Sequence, residues 1–159
     1  MQKPKIIFYK KTKDSRGYFS EIFKIKLFKN KFLQDNLVFN KKKNVFRGLH
    51  YQVKPFAQGK LITVLKGAII DYVCNVDINS KNYKKIKKFY LSEKDNKWLW
   101  VPANFAHGYL TKKDNTIVLY KVTNYYSPKF ERNLNIFQDK FYIKLGINKS
   151  RIVTSKKDS

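Results

Sequence analysis

The sequence predicts an all-β fold, a sandwich or barrel of many short strands. Three observations carry this. Residues 68–76 alternate in period two, short β-branched and aromatic runs recur with turn signals between them, and only residues 22–32 show a helical period. In chain order, Lys5–Tyr9 is a short apolar run suited to an edge strand. Ile22–Phe32 is the one short helix candidate. Val45–Val53 is β-rich, and Leu61–Leu65 is followed by Lys66-Gly67, a tight turn. Ala68–Val76 then places Ala68, Ile70, Tyr72, Cys74 and Val76 on one face and Ile69, Asp71, Val73, Asn75 and Asp77 on the other. The expectation is a β-hairpin with one face on a core. Ile86–Leu91, Trp98–Val101, Gly108–Thr111 and Thr116–Tyr126 complete the strand candidates. No repeat or linker divides residues 1–159, so one domain is expected.

The chain carries 35 Lys+Arg against 11 Asp+Glu, a formal net charge of +24. Such an excess first points to a nucleic acid or anionic surface. Its make-up argues otherwise, because 31 of these residues are Lys and only Arg16, Arg47, Arg132 and Arg151 are Arg. Phosphate and base readers favour the planar, bidentate guanidinium. The runs Lys41–Lys43 and Lys84–Lys88 read as solvated loops or strand faces. With 43% hydrophobic and 16% aromatic residues the chain can build a core. No membrane-length apolar run or secretory signal is visible, and Cys74 is the single cysteine, which excludes an intrachain disulfide. A soluble cytoplasmic protein without nucleic-acid or membrane partners is expected.

Two histidines could carry chemistry. His50 lies in Arg47-Gly48-Leu49-His50-Tyr51-Gln52, and His107 in Ala106-His107-Gly108-Tyr109. Two separated histidines without a thiolate cluster make a poor metal site. Acid–base chemistry fits better, given an orienting carboxylate and a proton donor such as Tyr.

These segments belong to a longer pattern: Asp14-Ser15-Arg16-Gly17-Tyr18-Phe19-Ser20-Glu21, Gln34-Asp35-Asn36, Arg47 to Gln52, Pro55-Phe56-Ala57-Gln58-Gly59-Lys60-Leu61, Trp100-Val101-Pro102 to Tyr109, Tyr120-Lys121-Val122-Thr123-Asn124-Tyr125-Tyr126-Ser127-Pro128, and the tail Ile152 to Asp158. In this order they resemble the dTDP-4-dehydrorhamnose 3,5-epimerase family over nearly the whole chain. The resemblance implies a cupin-type double-stranded β-helix, or jelly roll, with a few short helices. It implies a homodimer and a dTDP-linked 4-keto-6-deoxy sugar as substrate, in deoxysugar and O-antigen biosynthesis, with no cofactor or metal.

The implied reaction removes and returns protons beside the 4-keto group. By resemblance His50 is the base, Asp158 orients it, Lys60 stabilises the enolate oxygen and Tyr120 donates the proton from the other face. Arg16, Glu21, Gln34, Asn36, Arg47, His107, Tyr126, Glu131 and Lys157 fall on substrate-binding positions. Epimerisation of C3 alone or C5 alone on another nucleotide-linked sugar is the nearest alternative, and a cationic nucleic-acid-binding β-domain the more distant one. The chain departs from the pattern in an abbreviated stretch between Glu21 and Gln34. After Glu131, Asp139 is retained but Lys140 and Leu145-Gly146 replace the usual prolines and tryptophan.

Overall fold

The structure is a computed structural model and describes residues 2–138 and 141–158, so Asp139 and Lys140 lie outside the described residues. Two five-stranded antiparallel sheets face each other. The first has the order β1 (Lys5–Phe8), β9 (Lys97–Val101), β6 (Lys60–Lys66), β11 (Thr116–Val122), β4 (Gln34–Asn40). The second runs β12 (Glu131–Asn133), β5 (Phe46–Gln52), β10 (Phe105–Thr111), β7 (Ala68–Asn75), β8 (Ile86–Ser92). A separate hairpin pairs β2 (Thr12–Asp14) with β3 (Gly17–Phe19). This is the expected jelly roll, with one short helix, α1 (Phe141–Leu145), and a few 3-10 turns.

Between the sheets lie Ile62, Val64, Ile69, Val73, Leu91, Leu99, Val101 and Val118. Each buried aliphatic side chain of this kind contributes about 1.5–3 kcal/mol. Two further clusters cover the outer faces. Phe46, Tyr72, Cys74 and Leu110 pack under Ile136, Leu145 and Ile147 of the C-terminal segment. Trp98 and Trp100 pack under Ile22, Phe23, Phe28 and Phe32.

The structure departs from four expectations. Residues 22–32 do not form a helix: only Ile25–Leu27 makes a 3-10 turn, with no side-chain cap. Its aromatic spacing instead builds a cluster in which the Phe32 ring meets Trp100 edge-on at 6.0 Å. The strands flanking Lys66-Gly67 do not form a hairpin, because β6 belongs to the first sheet and β7 to the second. The turn carries the chain across the sandwich. Gly67 has φ +83°, and a Cβ there would lie 2.3 Å from Thr116 Oγ1. Finally, β7 is buried on both faces: Tyr72 and Cys74 pack under the C-terminal segment, while Ile69 and Val73, on the face that carries Asp71, enter the inter-sheet core. β10 also begins earlier than expected and so takes His107 into the strand.

One close approach fixes the centre of the second sheet. β5 and β10 pair so that His50 stands opposite His107, and the register then shifts before Tyr109 pairs with Arg47. At the shift Gly48 has φ +121°, and a Cβ on it would lie 2.5 Å from Gly108 Cα and 2.8 Å from His107 O. Both neighbours are backbone and cannot rotate away. Gly48→Ala should therefore destabilise the fold by about 3 kcal/mol or more, combining steric overlap with a positive-φ cost. Chemical denaturation against the parent chain measures this. A variant within about 0.5 kcal/mol of the parent would show that the sheet accommodates the methyl.

Candidate active site

The two sheets leave a polar cavity at one end of the sandwich. Gln34 and Asn36 of β4 face into it, because the alternation of that strand turns Asp35, Leu37 and Phe39 outward. His50, Tyr51 and Gln52 of β5 line the other wall, with Lys60 of β6, Tyr120 of β11 and Glu131 of β12. Gln58, Tyr126 and Lys157 complete this front cavity of 320 Å³. A second cavity of 250 Å³ continues from it, sharing His50, Lys60, Tyr120 and Lys157 and adding Val38, Arg47, His107, Tyr109, Ser155 and Asp158.

His50 and Asp158 meet although 108 positions separate them in the chain. The tail docks through Val45, which bridges to Val153 in parallel, and Phe46 N–H donates to Val153 O at 2.8 Å. Asn133 Nδ2 then donates to Lys157 O at 2.5 Å. This places Asp158 Oδ1 2.7 Å from His50 Nε2, with Asp158 buried to 4% exposure. Burial pushes the Asp158 carboxyl up. The contact and charge of His50, with hydrogen bonds from the Ser155 side chain and the Gly48 N–H, outweigh it and hold the group below the usual carboxylate range.

Lys60 is the buried lysine of the site. Its Nζ donates to His50 O at 3.1 Å. Burial lowers its pKa to about 8, against the opposing pull of Glu131 and Asp71. Burial raises the Tyr120 phenol, with the Arg47 charge acting the other way, so Tyr120 holds its proton. Tyr120 and Lys60 stand on the first sheet and His50 on the second. The Tyr120 and His50 side chains therefore enter the cavity from opposite walls.

The polar rim is tightly paired. Glu131 Oε2 accepts from Tyr126 OH at 2.9 Å and also pairs with Lys157 Nζ. Burial raises Glu131, and the bonds from Lys157 and Tyr126 more than reverse this. Gln34 Nε2 donates to Asn36 Oδ1 at 2.8 Å. Arg47 Nε donates to Asn40 Oδ1 at 2.9 Å, which holds the guanidinium beside the second cavity.

The structure thus brings His50, Lys60, Tyr120, Asp158, Gln34, Asn36, Arg47, His107, Tyr126, Glu131 and Lys157 to the connected cavities. Arg16 and Glu21 are not brought there. The Arg16 side chain is 88% exposed on the β2–β3 hairpin and pairs with Asp14 at 2.7 Å. Glu21 pairs with Lys24 at 2.5 Å. Sequence reasoning missed Asp71, whose Oδ2 lies 2.7 Å from His107 Nε2 at zero exposure. Asp71 alternates with the apolar Ile69 and Val73, but the sequence does not say that their face is enclosed. Asn40, Gln58, Tyr109 and Ser155 were missed as well. Among the described residues no group of three or more His, Cys, Asp or Glu is placed to hold a metal ion.

The family model for dTDP-4-dehydrorhamnose 3,5-epimerase matches residues 1–159. The chain belongs to the dTDP-4-dehydrorhamnose 3,5-epimerase family. The member from Sinorhizobium fredii is 40% identical, over 98% of this chain and 82% of its own. That from Shigella flexneri is 38% identical, over 80% and 72%. Among solved structures, the Bacillus anthracis epimerase with TDP and pyrophosphate bound superposes with a TM-score of 0.91 at 32% identity, covering 98% of this chain and 90% of that one. The Legionella pneumophila epimerase in complex with dTDP-4-keto-L-rhamnose gives 0.88 at 32% identity, covering 98% and 84%.

For this family member, the lowered Asp158 has a consequence for stability. A carboxyl depressed on folding stabilises above its unfolded value and loses that contribution as pH falls through the folded one. The stability difference between the parent and Asp158→Asn should be largest near neutral pH and shrink toward zero well below pH 4. Urea unfolding at several pH values measures this, and a pH-independent difference would contradict it.

Proposed function

We propose that this protein epimerises a dTDP-linked 4-keto-6-deoxy sugar at C3 and C5, of the dTDP-4-dehydro-6-deoxyglucose to dTDP-4-dehydrorhamnose type, in a route supplying activated deoxysugar. The observation that carries the reading is the placement of His50 and Tyr120 on facing sheets around one cavity, with Lys60 on the same sheet as Tyr120 and its Nζ at His50 O. Inversion at a carbon needs a base on one face and an acid on the other. The keto group at C4 makes the hydrogens at C3 and C5 acidic. His50 takes one of these protons, and the electron pair of the broken C–H bond moves into the carbonyl to give an enolate. The Lys60 ammonium stabilises the enolate oxygen in a cavity where charge is weakly screened. Tyr120 then delivers its proton to the opposite face and the keto group re-forms. Asp158 orients the imidazole and stabilises its charged form.

The diphosphate and nucleoside are proposed to run out through the front cavity. Tyr126 offers a ring to the base, Gln34 and Asn36 offer amides, and Lys157 and Arg47 offer charge. Arg16 and Glu21 are proposed to serve the site of a second copy in a homodimer. The hairpin that carries Arg16, just ahead of Glu21, presents Tyr18 at 65% and Phe19 at 74% exposure, and β4 presents Leu37 and Phe39 outward.

Incubation of dTDP-4-keto-6-deoxyglucose in D₂O should place deuterium at both C3 and C5. Exchange at one carbon would narrow the reaction to that carbon, and exchange at neither would refute it. His50→Ala and Tyr120→Phe should each lose about 10²–10⁴ in rate while remaining folded. Because the ammonium form of Lys60 is the working one, activity should fall as pH rises through about 8. A rate that stays level to pH 10 would remove Lys60 from this role. Sedimentation of the chain and of a Phe19→Asp variant tests the dimer: the parent should run as a dimer and the variant should shift toward monomer.

A further inference from the structure

Tyr126, the ring proposed above to receive the base, stands on a stretch that belongs to neither sheet. β11 ends at Val122 and a 3-10 turn begins at Pro128, and residues 123–127 between them lie in no strand. The Tyr126 side chain is half exposed in the wall of the front cavity. A ring carried on such a connection is ordinarily mobile. Here the main chain around it is bonded on both edges, and side chains supply the bonds.

Gln52 supplies one edge. Its Oε1 accepts from the Ser127 N–H at 2.7 Å, and its Nε2 donates to Tyr125 O at 3.1 Å and to Phe56 O at 2.6 Å. The C=O before a residue and the N–H after it point to the same side of an extended chain, which is where a neighbouring strand would grip it. One glutamine amide thus does for Tyr126 what a strand does elsewhere. Gln34 supplies the other edge, where its Oε1 accepts from the Tyr126 N–H at 3.2 Å. Gln52 stands on the second sheet and Gln34 on the first, so the connection is bridged between the sheets. Just ahead of it, Gln58 Nε2 donates to Asn124 O at 2.7 Å. The phenol end of Tyr126 is tied to Glu131.

We infer that Gln52 is a positioning residue for the nucleoside: it clamps the main chain on either side of Tyr126 and so holds the ring as a preformed platform before the base arrives. The inference rests on the nucleoside placement proposed above. Gln52 is 3% exposed, and both hydrogens of its amide are engaged by main-chain carbonyls. It therefore acts on a nucleotide through Tyr126 rather than by contact. A base that stacks on a ring already in place avoids the entropy of ordering that ring during binding. The Gln52 bond to Phe56 O also ties the platform to the loop after β5, the strand that carries His50.

The test measures dTDP and pyrophosphate affinity by calorimetry for Gln52→Met, which keeps the length of the side chain and loses its hydrogen bonds. dTDP should bind about tenfold more weakly, within the range of one base–ring stack. Pyrophosphate, which has no base, should bind as it does to the parent. With dTDP-4-keto-6-deoxyglucose, KM should rise by a similar factor while kcat stays within about threefold of the parent. In a Tyr126→Ala background the same substitution should change dTDP affinity by less than about twofold, because the ring it positions is gone. Gln52→Asn keeps the amide with a shorter reach and should fall between the parent and Gln52→Met; it carries the test where Gln52→Met does not fold. Full dTDP affinity in both variants would overturn the inference. So would an equal weakening of pyrophosphate, or a loss that persists without the Tyr126 ring, since either would assign Gln52 to the general build of the cavity. A Tyr126→Ala chain that binds dTDP as the parent does would remove the base from this ring, and the inference with it. A parent that binds dTDP but exchanges neither C3 nor C5 would refute the epimerase reading alone.

Discussion

The approach of β5 to β10 at Gly48 and Gly108 is the constraint on which the rest of the site depends. With no side chain at either position, the two strands close to a separation that a single methyl would block. That closeness sets the register in which His50 stands opposite His107. It also leaves the Gly48 N–H free to bond to Asp158, so the same glycine that joins two strands helps seat the tail. Neither histidine is held only by its own strand. Each has a carboxylate at 2.7 Å, one from the tail and one from β7.

The interior is polar by design of the sandwich rather than by failure of packing. The apolar inter-sheet core fills one part, and Lys60, Asp71, His107 and Asp158 are buried at or below 9% exposure in the other. Such groups are costly unless paired. Their pairing is uneven. Asp71 keeps one oxygen without a hydrogen-bond partner, and Lys60 has a carbonyl rather than a carboxylate as its neighbour. A site that must receive charge during a reaction gains from groups whose own charges are incompletely satisfied. The +24 surplus is a separate matter. Most of it lies on exposed positions such as Lys41–Lys43 and the β8 edge, where lysine also discourages strand-to-strand aggregation.

Much of this was legible in the sequence, for identifiable reasons. Strands with strong alternation, such as residues 68–76, declared themselves, as did the motif residues that line the cavity. What stayed hidden depended on long-range placement. Gly67 reads as a hairpin turn because local sequence does not say which sheet receives the next strand. The stretch 22–32 has apolar residues at helical spacing, but its phenylalanines were spaced to cap two tryptophans. Gln34–Asn40 forms a strand whose polar face lines the cavity, so it lacked an apolar stripe to reveal it. Asp71 required knowing that both faces of β7 are covered. Arg16 and Glu21 matched the motif, yet no reading of one chain alone brings them to its own cavity.

The crossing at Gly67 has a consequence for how the chain reaches this shape. Strands adjacent in sequence feed opposite sheets there, and the first sheet gathers strands from residue 5 to residue 122. Neither sheet can be completed from one contiguous stretch. Loop closure over long separations must precede most of the stabilising contacts, which slows folding relative to folds built from local hairpins. The nucleus should therefore be the inter-sheet core itself, where Ile62 and Val64 of β6 meet Ile69 and Val73 of β7 across the turn. A turn that looked like local punctuation is then the place where the two halves of the molecule first learn of each other.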